Sequence, residues 1–170
     1  SENKLIENEI LTINKKKMKF NVIVGNPPYQ QKEGGANNNT ALPIYNQFVE
    51  IAKNHNPEYI SLIMPTRWYA GGRGLDNFRD VMLNDSHISE LHDFLRPELV
   101  FQNTNIRGGI CYFLWEKNYD NRKNLTKVFT YKDNLTPSIK KRKLKTNNSD
   151  ILIRHNIGVS IIEKVNNSPN

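Results

Sequence analysis

The chain has 170 residues, enough for one domain with a real core. Its hydrophobic share of 37% and mean hydropathy of -0.67 mark a polar protein, and no apolar run approaches the ~20 residues that cross a bilayer, so a membrane protein is excluded and the cytoplasm is the expected location. The net charge of +7 and pI near 9.5 favour a polyanionic partner, while one cysteine and four histidines without zinc-type spacing give no expectation of a disulfide or a metal site.

Residues 1–17 mix Leu5, Ile6, Ile10, Leu11 and Ile13 with charges, a pattern open to a short strand or an amphipathic helix. They end in the first of two basic clusters, Lys15-Lys16-Lys17. The second is Lys140-Lys141-Arg142-Lys143, and for both a solvated face and phosphate contact stay open. Val22-Ile23-Val24 is a continuous β-branched run, which suits a strand buried on both faces. It stops at Gly25-Asn26-Pro27-Pro28-Tyr29. Both prolines lack an N–H and fix φ, and each pushes the residue before it toward extended backbone, so the ladder ends with carbonyls free and stiffly held. In open α/β sheets the functional crevice lies beyond the carboxyl ends of the strands, where this turn would sit.

The turn suits one kind of chemistry. The exocyclic amino group of a nucleobase is a poor nucleophile because its lone pair is delocalised into the ring. The Asn26 side-chain oxygen and the Pro27 carbonyl could accept its two N–H bonds, drawing the nitrogen toward tetrahedral geometry and exposing the lone pair to an electrophilic methyl. Neutral acceptors suffice, since the proton can leave after attack. Tyr29 would supply a face on which the planar base stacks, worth ~1–3 kcal/mol per base.

Downstream, residues 30–40 carry Gly34-Gly35 and Asn37-Asn38-Asn39 and read as a polar lid over the site. Thr40 is placed to cap a helix over 41–55, with Pro43 in its first turn and Tyr45, Phe48, Val49 and Ala52 on one face. A second core strand, 59–64, stops at Pro65, and Trp68 and Tyr69 follow. Ala70-Gly71-Gly72-Arg73-Gly74 then precedes a helix over 75–83, but Asn77 stands where a dinucleotide fingerprint needs a small residue. A glycine turn that places Arg73 near a phosphate is preferred. Strands at 88–94 and 109–116 lie close enough to form an antiparallel pair, and Cys111 in the second is expected as a buried small hydrophobe. The loop between them carries Phe101 and Arg107, the latter a second candidate phosphate contact. Residues 119–170 are the least legible: a strand-like 128–131, the basic run, and apolar patches at 151–154 and 159–162.

Asn26-Pro27-Pro28-Tyr29 behind a strand resembles the motif of the class I S-adenosylmethionine-dependent amino-methyltransferases. With it go Ile44-Tyr45-Asn46-Gln47-Phe48 in the next helix, Ile63-Met64-Pro65-Thr66-Arg67-Trp68, and Val100-Phe101-Gln102 before the last strand. From Asn26 to Glu116 that order is similar to the catalytic half of the adenine-specific DNA methyltransferases of restriction-modification systems. The resemblance implies an α/β fold, the C-terminal half of a Rossmann-like class I methyltransferase sheet, mostly parallel with its last strand antiparallel and with flanking helices. It implies catalytic roles for Asn26, Pro27 and Tyr29, contact with the flipped base from Pro28 and Phe101, S-adenosylmethionine as cofactor and double-stranded DNA as partner. Trp68 would then pack behind the site. Residues 1–118 become the catalytic half and 119–170 a tail in which a target-recognition region would begin. Only 25 residues precede Asn26 and they hold no G-x-G, so the cofactor-binding N-terminal half of the same protein is expected outside this chain. Two rivals use the same residues: a methyltransferase acting on a protein glutamine or an RNA guanine, and a non-catalytic nucleic-acid-binding module.

Overall fold

The computed structural model describes residues 19–32, 41–102, 106–133, 136–146 and 149–166. The expectations for residues 1–17, for positions 33–40 of the 30–40 lid and for Thr40 as a cap lie outside them, while the first three lid residues, Gln30–Lys32, form a strand. In chain order, strand β1 (Val22–Gly25) is followed by a small hairpin, β2 (Gln30–Lys32) with β3 (Ala41–Pro43), and by helix α1 (Tyr45–Asn54). Next come β4 (Tyr59–Pro65), a 3-10 turn over Thr66–Tyr69, α2 (Asp76–Asn84), β5 (Ile88–Phe94) and β6 (Ile110–Glu116). The remainder is one helical turn, α3 (Asn121–Asn124), then β7 (Thr126–Tyr131), β8 (Ser138–Arg142) and α4 (Asn156–Asn166).

Six strands form one sheet in the order β1-β4-β6-β5-β7-β8. β1 is parallel to β4 and β5 to β7, whereas β6, wedged between β4 and β5, and β8 at the edge run the other way. The sheet is that of the methyltransferase half expected from the sequence, with its antiparallel strand at 110–116. The helix expected from residue 41 begins instead at Tyr45, because Ala41–Pro43 pair with Gln30–Lys32. The hairpin gives the backbone of this segment ladder partners that a first helical turn would have left unsatisfied.

Alternation along the strands puts Ile60, Leu62, Met64, Leu91, Cys111, Phe113, Trp115 and Val128 on one face, all buried. Tyr45, Val49 and Ala52 of α1, Trp68, and Phe78 and Met82 of α2 close over that face, joined by Leu144 and Leu152 from the tail. Trp68 is fully buried and meets Phe78 edge-on at 5.9 Å, so it packs behind the rim as expected. The other face carries an aromatic ladder. The His92 ring stacks between Tyr112 at 4.3 Å and Phe129 at 4.1 Å, and Phe94 stacks on Tyr131 at 4.2 Å. Burial lowers the His92 imidazole below its ordinary value, with Glu90 acting the other way.

β1 is not buried on both faces as its composition suggested. It is the outermost strand, and Val22 and Val24 are 55% and 70% exposed because no described element lies against their face. The basic run 140–143 divides by the same alternation. Lys141 and Lys143 are exposed, whereas Lys140 donates to Ser160 Oγ at 2.7 Å, and buried Arg142 donates to Asn156 Oδ1 at 3.1 Å and Ile153 O at 2.6 Å. Half of a cluster that looked like a surface patch is therefore internal glue.

Candidate active site

The strand register defines one rim. Pro65 lies beside Ile110, Ile110 beside Phe94, and Phe94 beside Tyr131, so β4, β5 and β7 end where β6 begins; β1 stops at Gly25, beside Leu62 and three residues short of that rim, and the 26–29 turn follows it. The 26–29 turn, the segment after β4 and the loop between β5 and β6 all emerge there. Asn26, Pro27, Pro28, Tyr29, Phe101 and Arg107 thus lie in connections at this edge of the sheet, and Arg73 lies in the connection from β4 to α2. At about 4.8 Å per strand, β1 and β6 run roughly 10 Å apart, on either side of β4. A shallow cleft among Glu58, Tyr59, Glu116 and Tyr119 lies at the opposite rim and includes none of these residues.

Within the turn, Asn26 and Pro28 are exposed, Pro27 is buried, and Tyr29 is half-buried against the core. The Tyr29 carbonyl accepts from Ile44 N at 3.3 Å, which fixes the turn to the start of α1. The Tyr29 hydroxyl is buried and meets no hydrogen-bond partner among the described residues. Burial raises its pKa, the nearby Cys111 thiol adds to the rise, and the Asn26 side chain opposes it from close by without completing a bond of ordinary geometry. Cys111 is fully buried with its thiol pushed up to about 12, which fits a small core side chain and leaves no thiolate for nucleophilic work.

Gly71, Gly72, Arg73 and Gly74 all have positive φ, a tight left-handed turn that leaves the Arg73 side chain exposed. The Asp76 carboxylate accepts from Gly72 N at 3.2 Å. An acidic group thus takes the backbone donor that a phosphate loop would offer its ligand, in agreement with the rejection of a dinucleotide fingerprint.

Across the rim, Phe101 is half-buried and its N–H donates to Pro97 O at 2.9 Å, while Arg107 is exposed. The loop returns to β6 through Gly108 and Gly109. Thr66 anchors them: its N–H donates to Gly109 O at 3.1 Å and its hydroxyl to Gly108 O at 2.8 Å. Gly109 has φ of 111°, and a Cβ there would stand 2.4 Å from Phe94 O, so only glycine fits. The buried Asp93 carboxylate, next to Phe94, is held by Arg154 from the tail. Sequence reasoning assigned no role to Thr66, Asp93, Gly108, Gly109 or Arg154. The paired glycines before an apolar strand were a legible signal of close backbone approach, whereas nothing marked Arg154.

No carboxylate among the described residues stands at the carboxyl ends of β1 or β4 to receive a ribose, and no group of three metal-ligating side chains occurs among them. No described helix is long and apolar enough to cross a membrane.

Residues 1–101 match the model of the Eco57I restriction-modification methylase family. An adenine-specific methylase of Mycoplasma pneumoniae, itself uncharacterized, is 34% identical over 155 residues, covering 87% of this chain and 37% of that protein. Among solved structures, a type I restriction-modification methyltransferase subunit from Streptococcus thermophilus superposes with a TM-score of 0.48 at 15% identity, covering 93% of this chain and 34% of that one. The type IIL restriction-modification enzyme MmeI, solved in complex with DNA, gives 0.47 at 14% identity, over 71% and 18% of the two chains.

Proposed function

Because this chain belongs to the Eco57I restriction-modification methylase family, we propose that it forms the base-holding half of a cytoplasmic enzyme that methylates the exocyclic N6 amine of adenine in double-stranded DNA. The target nucleotide would leave the duplex at a cost of a few kcal/mol and enter at the carboxyl rim. The observation that carries this proposal is the turn itself: Asn26 in solvent, beside a buried Pro27 that stiffens the backbone, with an aromatic ring two residues further on.

The Asn26 amide oxygen and the Pro27 carbonyl accept the two N–H bonds of the amine. Pro28 and the rings of Tyr29 and Phe101 hold the purine between the turn and the facing loop. Arg73 and Arg107, both exposed, approach the phosphates, and the tail beyond residue 118 leads into target recognition. S-adenosylmethionine, held mostly by parts of the same protein outside this chain, supplies the methyl group when bound.

In the full-length protein, Asn26→Ala is expected to lower methyl transfer on the order of 10²–10³-fold, by analogy with removing one aligned polar group from an active site, while leaving DNA binding largely intact. Incorporation of tritiated methyl near the wild-type rate would defeat the role given to Asn26.

A further inference from the structure

Arg154 joins parts of the rim that are far apart in the chain. Its Nε and Nη2 donate to the two Asp93 carboxylate oxygens at 2.8 and 2.6 Å, Nη2 also donates to Phe94 O at 3.2 Å, and Nη1 donates to Gly108 O. Phe94 and Gly108 are the two ends of the loop that carries Phe101 and Arg107. One guanidinium therefore spans the mouth of that loop.

The clamp is fixed on all sides. Asp93 is fully buried on β5, and the Arg154 carbonyl accepts from Thr130 Oγ1 at 3.0 Å. The guanidinium lies 5.6 Å from the centre of the Tyr69 ring, and Leu152 N donates to Tyr69 O at 3.0 Å, so the tail is tied to the segment that follows β4. Gly108 O also receives the Thr66 hydroxyl at 2.8 Å, which connects the clamp to the strand flanking the 26–29 turn. Gly109 leaves the space: a side chain there would strike Arg154 Nη2 at 2.6 Å.

We propose that Arg154 is a positioning residue for methyl transfer, fixing the spacing of Phe94 and Gly108 and thereby where the neighbouring Phe101 and Arg107 stand relative to the 26–29 turn. The consequence for catalysis rests on the function proposed above; the clamp itself does not. Its planar fork reaches both oxygens of a carboxylate and two carbonyls at once, four bonds that the three donors of a lysine ammonium cannot match.

The test uses the full-length protein as wild type, Arg154→Met and Arg154→Lys. Backbone hydrogen exchange across residues 106–110 should quicken at least tenfold in the methionine variant and less in the lysine variant, with β7 and α4 unchanged. Methyl transfer should lose at least tenfold in kcat with the KM for DNA within twofold of wild type, the fluorescence of 2-aminopurine at the target position should fall, and lysine should restore part of both. If the methionine variant loses protection throughout β7 and α4, the lysine variant decides on the same readouts. Wild-type exchange in a folded variant overturns the clamp, and a loosened loop with unchanged kcat overturns the positioning role. A wild-type protein that transfers no methyl group to DNA would instead defeat the proposed function, and the exchange measurement would still decide the clamp.

Discussion

The 26–29 turn and the 95–109 loop share one rim but are held there by different physics. The turn is stiff through its own covalent chemistry: two consecutive prolines and one backbone bond, from Ile44 N to Tyr29 O. The loop's return to β6 owes its place to remote groups, with Thr66 from the turn after β4 and Arg154 from the tail both meeting the Gly108 carbonyl. A self-stiffened element tolerates change around it. An element positioned from outside inherits every weakness of its supports.

Four measurements would break or sharpen that contrast. Gly109→Ala should have the largest effect, about 1–3 kcal/mol or more, because the added Cβ meets backbone Phe94 O at 2.4 Å and cannot be accommodated by a rotamer change. Thermal melting should show it as a fall of several degrees, at ~2–4 °C per kcal/mol for a chain of this size; an unchanged midpoint would mean that the hinge is not confined as described. Second is acidification. The His92 pKa is depressed in the folded protein by burial, so its contribution to stability is complete above the ordinary value of 6.5 and is lost as pH falls through the lowered value. The slope for one proton cannot exceed about 1.4 kcal/mol per pH unit. Melts between pH 8 and pH 5 should slope accordingly, and His92→Phe should flatten them.

Third, Thr66→Val removes the hydroxyl bond to Gly108 O while keeping the shape, and should cost about 1 kcal/mol in denaturant unfolding. Equal stability would show that Arg154 and the backbone bond from Thr66 N to Gly109 O suffice to hold the hinge. Last, Pro28→Ala should change stability by no more than about 0.4–1 kcal/mol, through the entropy of the unfolded chain, since Pro28 is exposed. A larger loss would mean that the turn also depends on distant support.

The same contrast explains what the sequence made legible. Val22-Ile23-Val24 and the proline pair announce a strand and its end by local rules, and the periodicity of Leu91, Phe113 and Val128 follows from alternation. The first turn of α1 was misplaced because the pairing of Ala41–Pro43 with Gln30–Lys32 is a tertiary choice that outweighs a capping signal. The exposure of Val22 and Val24 depends on which strands are neighbours, which composition does not encode. Arg142 looked like part of a surface cluster because its partners, Asn156 and Ile153, lie 11 and more residues away. Burial lowers the pKa of that guanidinium, a sign of how far inside it sits.

The joining of β7 to β5 bears on where the polypeptide can be cut. A version ended near residue 118 would strip β7 away and leave Glu90 to Phe94 of β5 with an open ladder edge, with the imidazole sandwiched at 4.1 Å uncovered on one side. It would also lose the guanidinium that closes Asp93, leaving a carboxylate in the interior without its counter-ion. Expression boundaries chosen from the family match at residues 1–101 alone would yield a sticky, half-sealed sheet, so production of any working piece should carry the chain through α4.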